Sequence, residues 1–251
     1  MWITTRQAFV GVLIAGVAGA VLFPFAIYFI GLALAPPRPI PATTHVPPLV
    51  AAAIWARADG DGDALRPLSP VSVAKFAACI AYEDFQDTTP GDARRVAACR
   101  RYMPAIQGLE YLSTMHMREA HLTPSFREGL GRFSTTVWMT RSWTKVEFID
   151  TVAERGEFGV RFRGLEAAAQ GYFARDAAHL TLPQAALAAS FVGDRRDLDP
   201  WCDPELAAGR RHRILVRMRE NQAIDEAAFQ SADRSELGLG PPPANHTSCA
   251  G

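Results

Sequence analysis

Residues 145–232 read KVEFIDTVAERGEFGVRFRGLEAAAQGYFARDAAHLTLPQAALAASFVGDRRDLDPWCDPELAAGRRHRILVRMRENQAIDEAAFQSA, and this stretch decides the fold. Apolar residues return at steps of three and four through Lys145 to Ala153, Leu165 to Phe173, Pro183 to Phe191 and Glu205 to Arg219, which is the helical period. Pro183 follows Thr181-Leu182, where a first-turn proline costs no hydrogen bond. No stretch alternates apolar and polar residues between hairpin turns, so a sheet is not expected. Ala167, Ala168 and Ala169 are small enough to let helices approach closely. Tyr172 and Phe173 read as core residues, and the expected fold is mainly α.

The same pattern extends toward the N-terminus. Ser72 is positioned to cap a helix running through Val73, Phe76, Ala77 and Ile80, and Leu49 to Arg57 is a short Ala-rich helix. Between them, Asp59-Gly60-Asp61-Gly62-Asp63 resembles the start of a calcium loop. That loop requires Gly at its sixth position and Glu at its twelfth, where this chain has Ala64 and Pro70; a solvated turn is expected instead. Pro36 to Pro48, PPRPIPATTHVPP, is a semi-rigid proline-rich stem.

Ahead of the stem, Ala8 to Ala35 carries no charged side chain. As a helix it would extend ~40 Å, more than the ~30 Å hydrocarbon core of a bilayer. Ala33-Leu34-Ala35 resembles a signal cleavage site, but Pro36 follows directly and the apolar run exceeds a signal core. An uncleaved anchor is expected. Arg6 and Arg38 flank it almost symmetrically, so charge does not fix its orientation. The organisation read from the sequence is a cytoplasmic tip and transmembrane anchor over 1–35, the stem over 36–48, one helical domain over 49–237 and a disordered Gly/Pro-rich tail over 238–251.

Lys+Arg and Asp+Glu are both 26, so no global basic field points to nucleic acid. Cys79, Cys99, Cys202 and Cys249 show no zinc-ligand spacing; they fit two disulfides or buried thiols alike.

The block from Lys145 to Ala232 resembles the C-terminal half of glycosyltransferase family 51, the lipid II polymerising domain. The resemblance is carried by Gly164-Leu165-Glu166-Ala167-Ala168-Ala169-Gln170 with Tyr172-Phe173, by Leu180-Thr181-Leu182 leading into Gln184–Ala188, and by Asp199-Pro200, Arg210-Arg211 and Met218. It implies a lysozyme-like helical domain behind one N-terminal transmembrane helix. It also implies a peptidoglycan glycosyltransferase at the outer face of the bacterial cytoplasmic membrane. The implied partners are the membrane, lipid II or another undecaprenyl-linked glycan precursor, and cell-wall synthesis proteins, with no nucleic acid. No cofactor is certain; a divalent cation at the donor pyrophosphate is the one the chemistry would admit.

The resemblance also assigns chemistry. Polymerisation needs a base for the acceptor hydroxyl while a pyrophosphate-lipid departs. Ala81-Tyr82-Glu83-Asp84 is similar to the family's Glu-Asp-x-x-Phe motif, which makes Glu83 the base and Asp84 a supporting group. The motif's later Phe and His fall on Asp87 and Pro90. Asp92 through Arg101 resembles the arginine-bearing helix that follows. The Gly-Gly-Ser-Thr-x-Thr-Gln-Gln segment aligns over Gly108 to Arg118, with Ser113 and Thr114 matching and His116 near the absent glutamines. Arg127 fits the first position of Arg-Lys-x-x-Glu, leaving Glu128 for the lysine and Gly131 for the second glutamate. Ser113, Thr114 and Arg127 are therefore the expected substrate-binding residues. Because these positions depart from the pattern, the resemblance also admits a non-catalytic protein that binds lipid II or scaffolds cell-wall assembly.

Overall fold

The computed structural model describes residues 19, 22–60, 62, 64–86, 99, 107–159, 161–193 and 199–242. Among these the chain is mainly helical. Helix α1 spans residues 22–34, followed by α2 (Pro48–Arg57), α3 (Pro70–Gln86), α4 (Gln107–Glu119), α5 (Phe126–Ser142) and α6 (Lys145–Arg155). A two-stranded ribbon, β1 (Glu157–Phe158) and β2 (Phe162–Arg163), leads to α7 (Leu165–Phe173), a 3₁₀ turn (Ala177–His179), α8 (Leu182–Ser190), α9 (Pro204–Glu220) and α10 (Glu226–Arg234). The ribbon departs from the expected absence of sheet. Two residues per strand are too short to show alternation in sequence.

No helix among the described residues is long and apolar enough to cross a membrane. Residues 1–18, 20 and 21, which hold nearly half of the apolar run, lie outside the described residues.

The chain divides into two compact units. The first comprises Met1–Arg38, Arg66–Pro104 and Ser113–Ser142, and the second Pro39–Leu65, Ala105–Leu112 and Trp143–Gly251. The sequence alone suggested one helical domain over 49–237, because such interleaving has no local signature.

In the second unit α8 is the central element. Gln184 through Ser190 are all buried, and α2, α7 and α9 pack around it. Pro183 sits in its first turn as expected, and Gln184 reaches back so that its Oε1 accepts from Thr181 N at 3.1 Å. Tyr172 anchors the neighbouring aromatic cluster. Its ring lies 4.7 Å from Phe191, 4.8 Å from Phe162 and 5.7 Å from Trp201, centroid to centroid, and its hydroxyl donates to the Phe158 carbonyl at 3.2 Å. Gly164 enters α7 at φ +84°, and a Cβ there would lie 3.0 Å from the Glu154 carbonyl oxygen, so only glycine fits this turn.

The start of the expected tail is held to this unit. Gln184 Nε2 donates to the Gly238 carbonyl at 2.9 Å, Trp201 Nε1 to the Gly240 carbonyl at 2.9 Å, and Gly240 N to the Tyr172 carbonyl at 2.8 Å. Arg211, buried, donates to the carbonyls of Asp233, Ser235 and Glu236. It thereby closes the C-terminal end of α10 against α9. Burial lowers the Arg211 guanidinium from its usual value, with Asp233 opposing. Burial also lowers Arg210, and Arg213 and Arg57 push the same way. The arginine pair of the family resemblance is thus scaffold in this chain.

In the first unit, Pro70 rather than Ser72 opens α3, and Ser69 does the capping. Its Oγ accepts from Ser72 N at 3.0 Å. Cys79 on α3 is disulfide-bonded to Cys99, and Cys202, in the second unit, is disulfide-bonded as well.

Candidate active site

Glu83 and Asp84 fall in the last turn of α3; their side chains lie outside the described residues, as do 87–98 and 100–106. One turn earlier on the same helix, Cys79 ties α3 to Cys99. The other expected residues, Ser113 and Thr114 on α4 and Arg127 on α5, fall in the same unit.

Ser113 is fully buried, and its hydroxyl lies 2.6 Å from Thr136 Oγ1. Thr136 Oγ1 also lies in reach of the Arg132 carbonyl, to which it donates at 3.0 Å. The Ser113–Thr136 bond pins α4 to α5. Thr114, next along, is half-buried, and Arg127 is exposed in the first turn of α5. Glu128, which stands where the resemblance expects lysine, pairs with Arg132 one turn on at 3.5 Å. Leu68 N donates to Thr140 Oγ1 at 3.0 Å and Arg141 Nη1 to the Leu68 carbonyl at 3.2 Å, fixing the entry to α3 against the end of α5. The parts of α3, α4 and α5 that bear the expected residues are therefore tied within the first unit.

The second unit carries a cleft of about 720 Å³ that the sequence did not announce. Its polar wall is His45, Asp150, Glu154, Arg163 and Glu166. The stem forms one side. Asp150 is 2% exposed, its Oδ2 accepts from His45 Nδ1 at 2.6 Å and its Oδ1 from Val46 N at 3.1 Å. Thr151 Oγ1 accepts from Ala42 N at 2.9 Å, and Arg155 Nη1 donates to the Ile40 carbonyl at 3.0 Å. The proline-rich stem is thus strapped along α6 by side chains from one helix. A signal was present: Asp150 stands on the buried face of α6 beside Ile149 and Ala153, where an aspartate demands partners. Among the described residues no group of three or more His, Cys, Asp or Glu side chains could hold a metal ion. No step is assigned to one.

The family model described as "Transglycosylase" matches residues 113–219, and the chain carries a transglycosylase domain of glycosyltransferase family 51. Its relatives are penicillin-binding proteins. The chain is 35% identical over 69 residues to penicillin-binding protein 1A of Streptococcus pneumoniae, covering 28% of this chain and 10% of that protein. It is 29% identical over 108 residues to penicillin-binding protein 1A of Pseudomonas aeruginosa, 43% of this chain and 13% of the relative. It is 24% identical over 166 residues to penicillin-binding protein 2D of Bacillus subtilis, 64% of this chain and 24% of the relative. The chain therefore spans no more than about a quarter of the length of these proteins.

Proposed function

We propose that this protein is a peptidoglycan glycosyltransferase that extends glycan strands from lipid II at the outer face of the bacterial cytoplasmic membrane. The observation that carries the reading is the transglycosylase match over 113–219, laid on helices whose packing is closed by the chain's own hydrogen bonds. The apolar segment ending at Ala35 anchors the domain beside its lipid-borne substrate. The Cys79–Cys99 disulfide supports an oxidising compartment, as the outer face requires.

In this reading Glu83 takes the proton from the acceptor sugar hydroxyl. The oxygen so released forms the new glycosidic bond as the donor's bond to its pyrophosphate breaks, and the lipid pyrophosphate departs with the electron pair. Arg127, exposed and cationic, meets the departing charge. Thr114 and Asp84 support the substrate, while Ser113 acts from beneath by holding α4 on α5. Labelled lipid II tests this: polymer formed by the wild type and lost in Glu83→Gln supports it, and no polymer refutes it.

A second reading has a specific observation behind it. Gly131, aligned with the family's second glutamate, is buried against Ala35, where a Cβ would already lie 3.3 Å from the Ala35 Cα. That favours a protein that binds lipid-linked precursor or scaffolds cell-wall assembly without polymerising. Precursor binding without polymer is its signature.

A further inference from the structure

Residues 31–38 lie along α4 and α5, all within the first unit, and four contacts hold them there. Gly31 meets α5 so closely that any Cβ would run into Ser134 Oγ and stand 2.7 Å from the Leu130 carbonyl oxygen. Gly131 is approached less tightly from the other side: a Cβ there would lie 3.3 Å from Ala35 Cα and 3.4 Å from Ala35 Cβ. His116 Nε2, on α4, donates to the Pro37 carbonyl at 2.8 Å. Arg38 stands 5.6 Å from the centre of the Trp138 ring while its Nη1 donates to the Leu32 carbonyl at 3.2 Å. Leu130, Ser134 and Trp138 are four residues apart, so they form one face of α5, and the segment follows that face from Gly31 to Arg38.

The contacts coincide with the departures from the family pattern. Gly131 stands where the family has a glutamate, and a side chain there would meet Ala35 at its Cβ. His116 stands near the absent glutamines and spends its ring N–H on Pro37. The geometry points to residues 31–38 as the resident occupant of the α4–α5 face on which substrate is expected. The face is closed to lipid-linked precursor while the segment is seated and opens when it lifts. This rests on the proposed function only in naming the precursor as the excluded ligand. The seated and lifted states are two populations of one chain.

Two variants of the full chain, in nanodiscs, test this in opposite directions. Gly31→Leu introduces the collision with Ser134 and lifts the segment. Ala35→Cys with Gly131→Cys locks it, since the 3.4 Å spacing sits at the short end of the roughly 3.5–4.5 Å that a disulfide spans. Hydrogen exchange over 113–119 and 126–138 and the Kd for nanodisc-embedded lipid II are the readouts. Gly31→Leu is expected to raise exchange in both helices and to tighten lipid II binding at least about tenfold, and the locked variant to weaken it by a similar factor. Equal Kd values for wild type, lifted and locked forms overturn the occlusion. Failure of the engineered cysteines to join, read by mass spectrometry of the peptides, overturns the seating even if Gly31→Leu does not fold. No lipid II binding by any of the three forms refutes the proposed function itself, and the occlusion with it.

Discussion

Asp150→Ala is expected to release the stem from α6 and to destabilise the second unit by about 3 kcal/mol. The carboxylate is 2% exposed and has both oxygens in use, one toward His45 Nδ1 at 2.6 Å and the other toward Val46 N at 3.1 Å. A hydrogen bond to a charged group contributes roughly 1.5–3 kcal/mol net. The His45 side chain is 77% exposed and rehydrates readily when the bond is lost, so its share is at the low end. Val46 N is part-buried and loses more. The sum near 3 kcal/mol corresponds to a fall in Tm of about 6–12 °C for a domain of this size. Calorimetry of the full chain measures it, with hydrogen exchange at 40–47 reporting release of the strap. His45→Ala, which removes only the exposed partner, is expected to cost about half as much, roughly 1.5 kcal/mol. A Tm fall below about 2 °C in Asp150→Ala, or an equal fall in both variants, would refute the view that the buried carboxylate organises the strap.

Further outcomes follow from the same contacts. Tyr172→Ala empties the centre of the Phe162–Phe191–Trp201 cluster and removes the hydroxyl's bond to the Phe158 carbonyl; a loss of about 3–5 kcal/mol is expected, read by chemical denaturation. Replacing Cys79 and Cys99 together by Ala removes a cross-link spanning 20 residues, which costs about 3 kcal/mol by loop entropy. Hydrogen exchange should locate that loss in α3, the helix that carries Glu83.

The helices were readable because their faces are. Leu165–Phe173 begins and ends where the periodicity places it, and Thr181-Leu182-Pro183 marks the start of α8 within a residue. The candidate site was readable only as a set of motif positions. What the sequence hid is contact between distant segments. Nothing local says that Pro37 receives a hydrogen bond from His116, that Ala35 fills the space over Gly131, or that Asp150 holds a stem more than a hundred residues upstream. A glycine inside a helix reads as a weakness costing about 1 kcal/mol; in Gly131 it is the condition for a close approach. Likewise the Gly/Pro composition of 238–251 suggested disorder, whereas Gly238 and Gly240 supply carbonyls that Gln184 and Trp201 require.

If Glu83 drives glycan polymerisation, the rate of polymer formation from labelled lipid II must separate wild type from Glu83→Gln. A general base contributes about 10²–10⁴-fold, so measurable polymer is expected from the wild type and a rate at least about a hundredfold lower in the variant. Equal rates, or lipid II bound by both proteins and polymerised by neither, would contradict that role for Glu83.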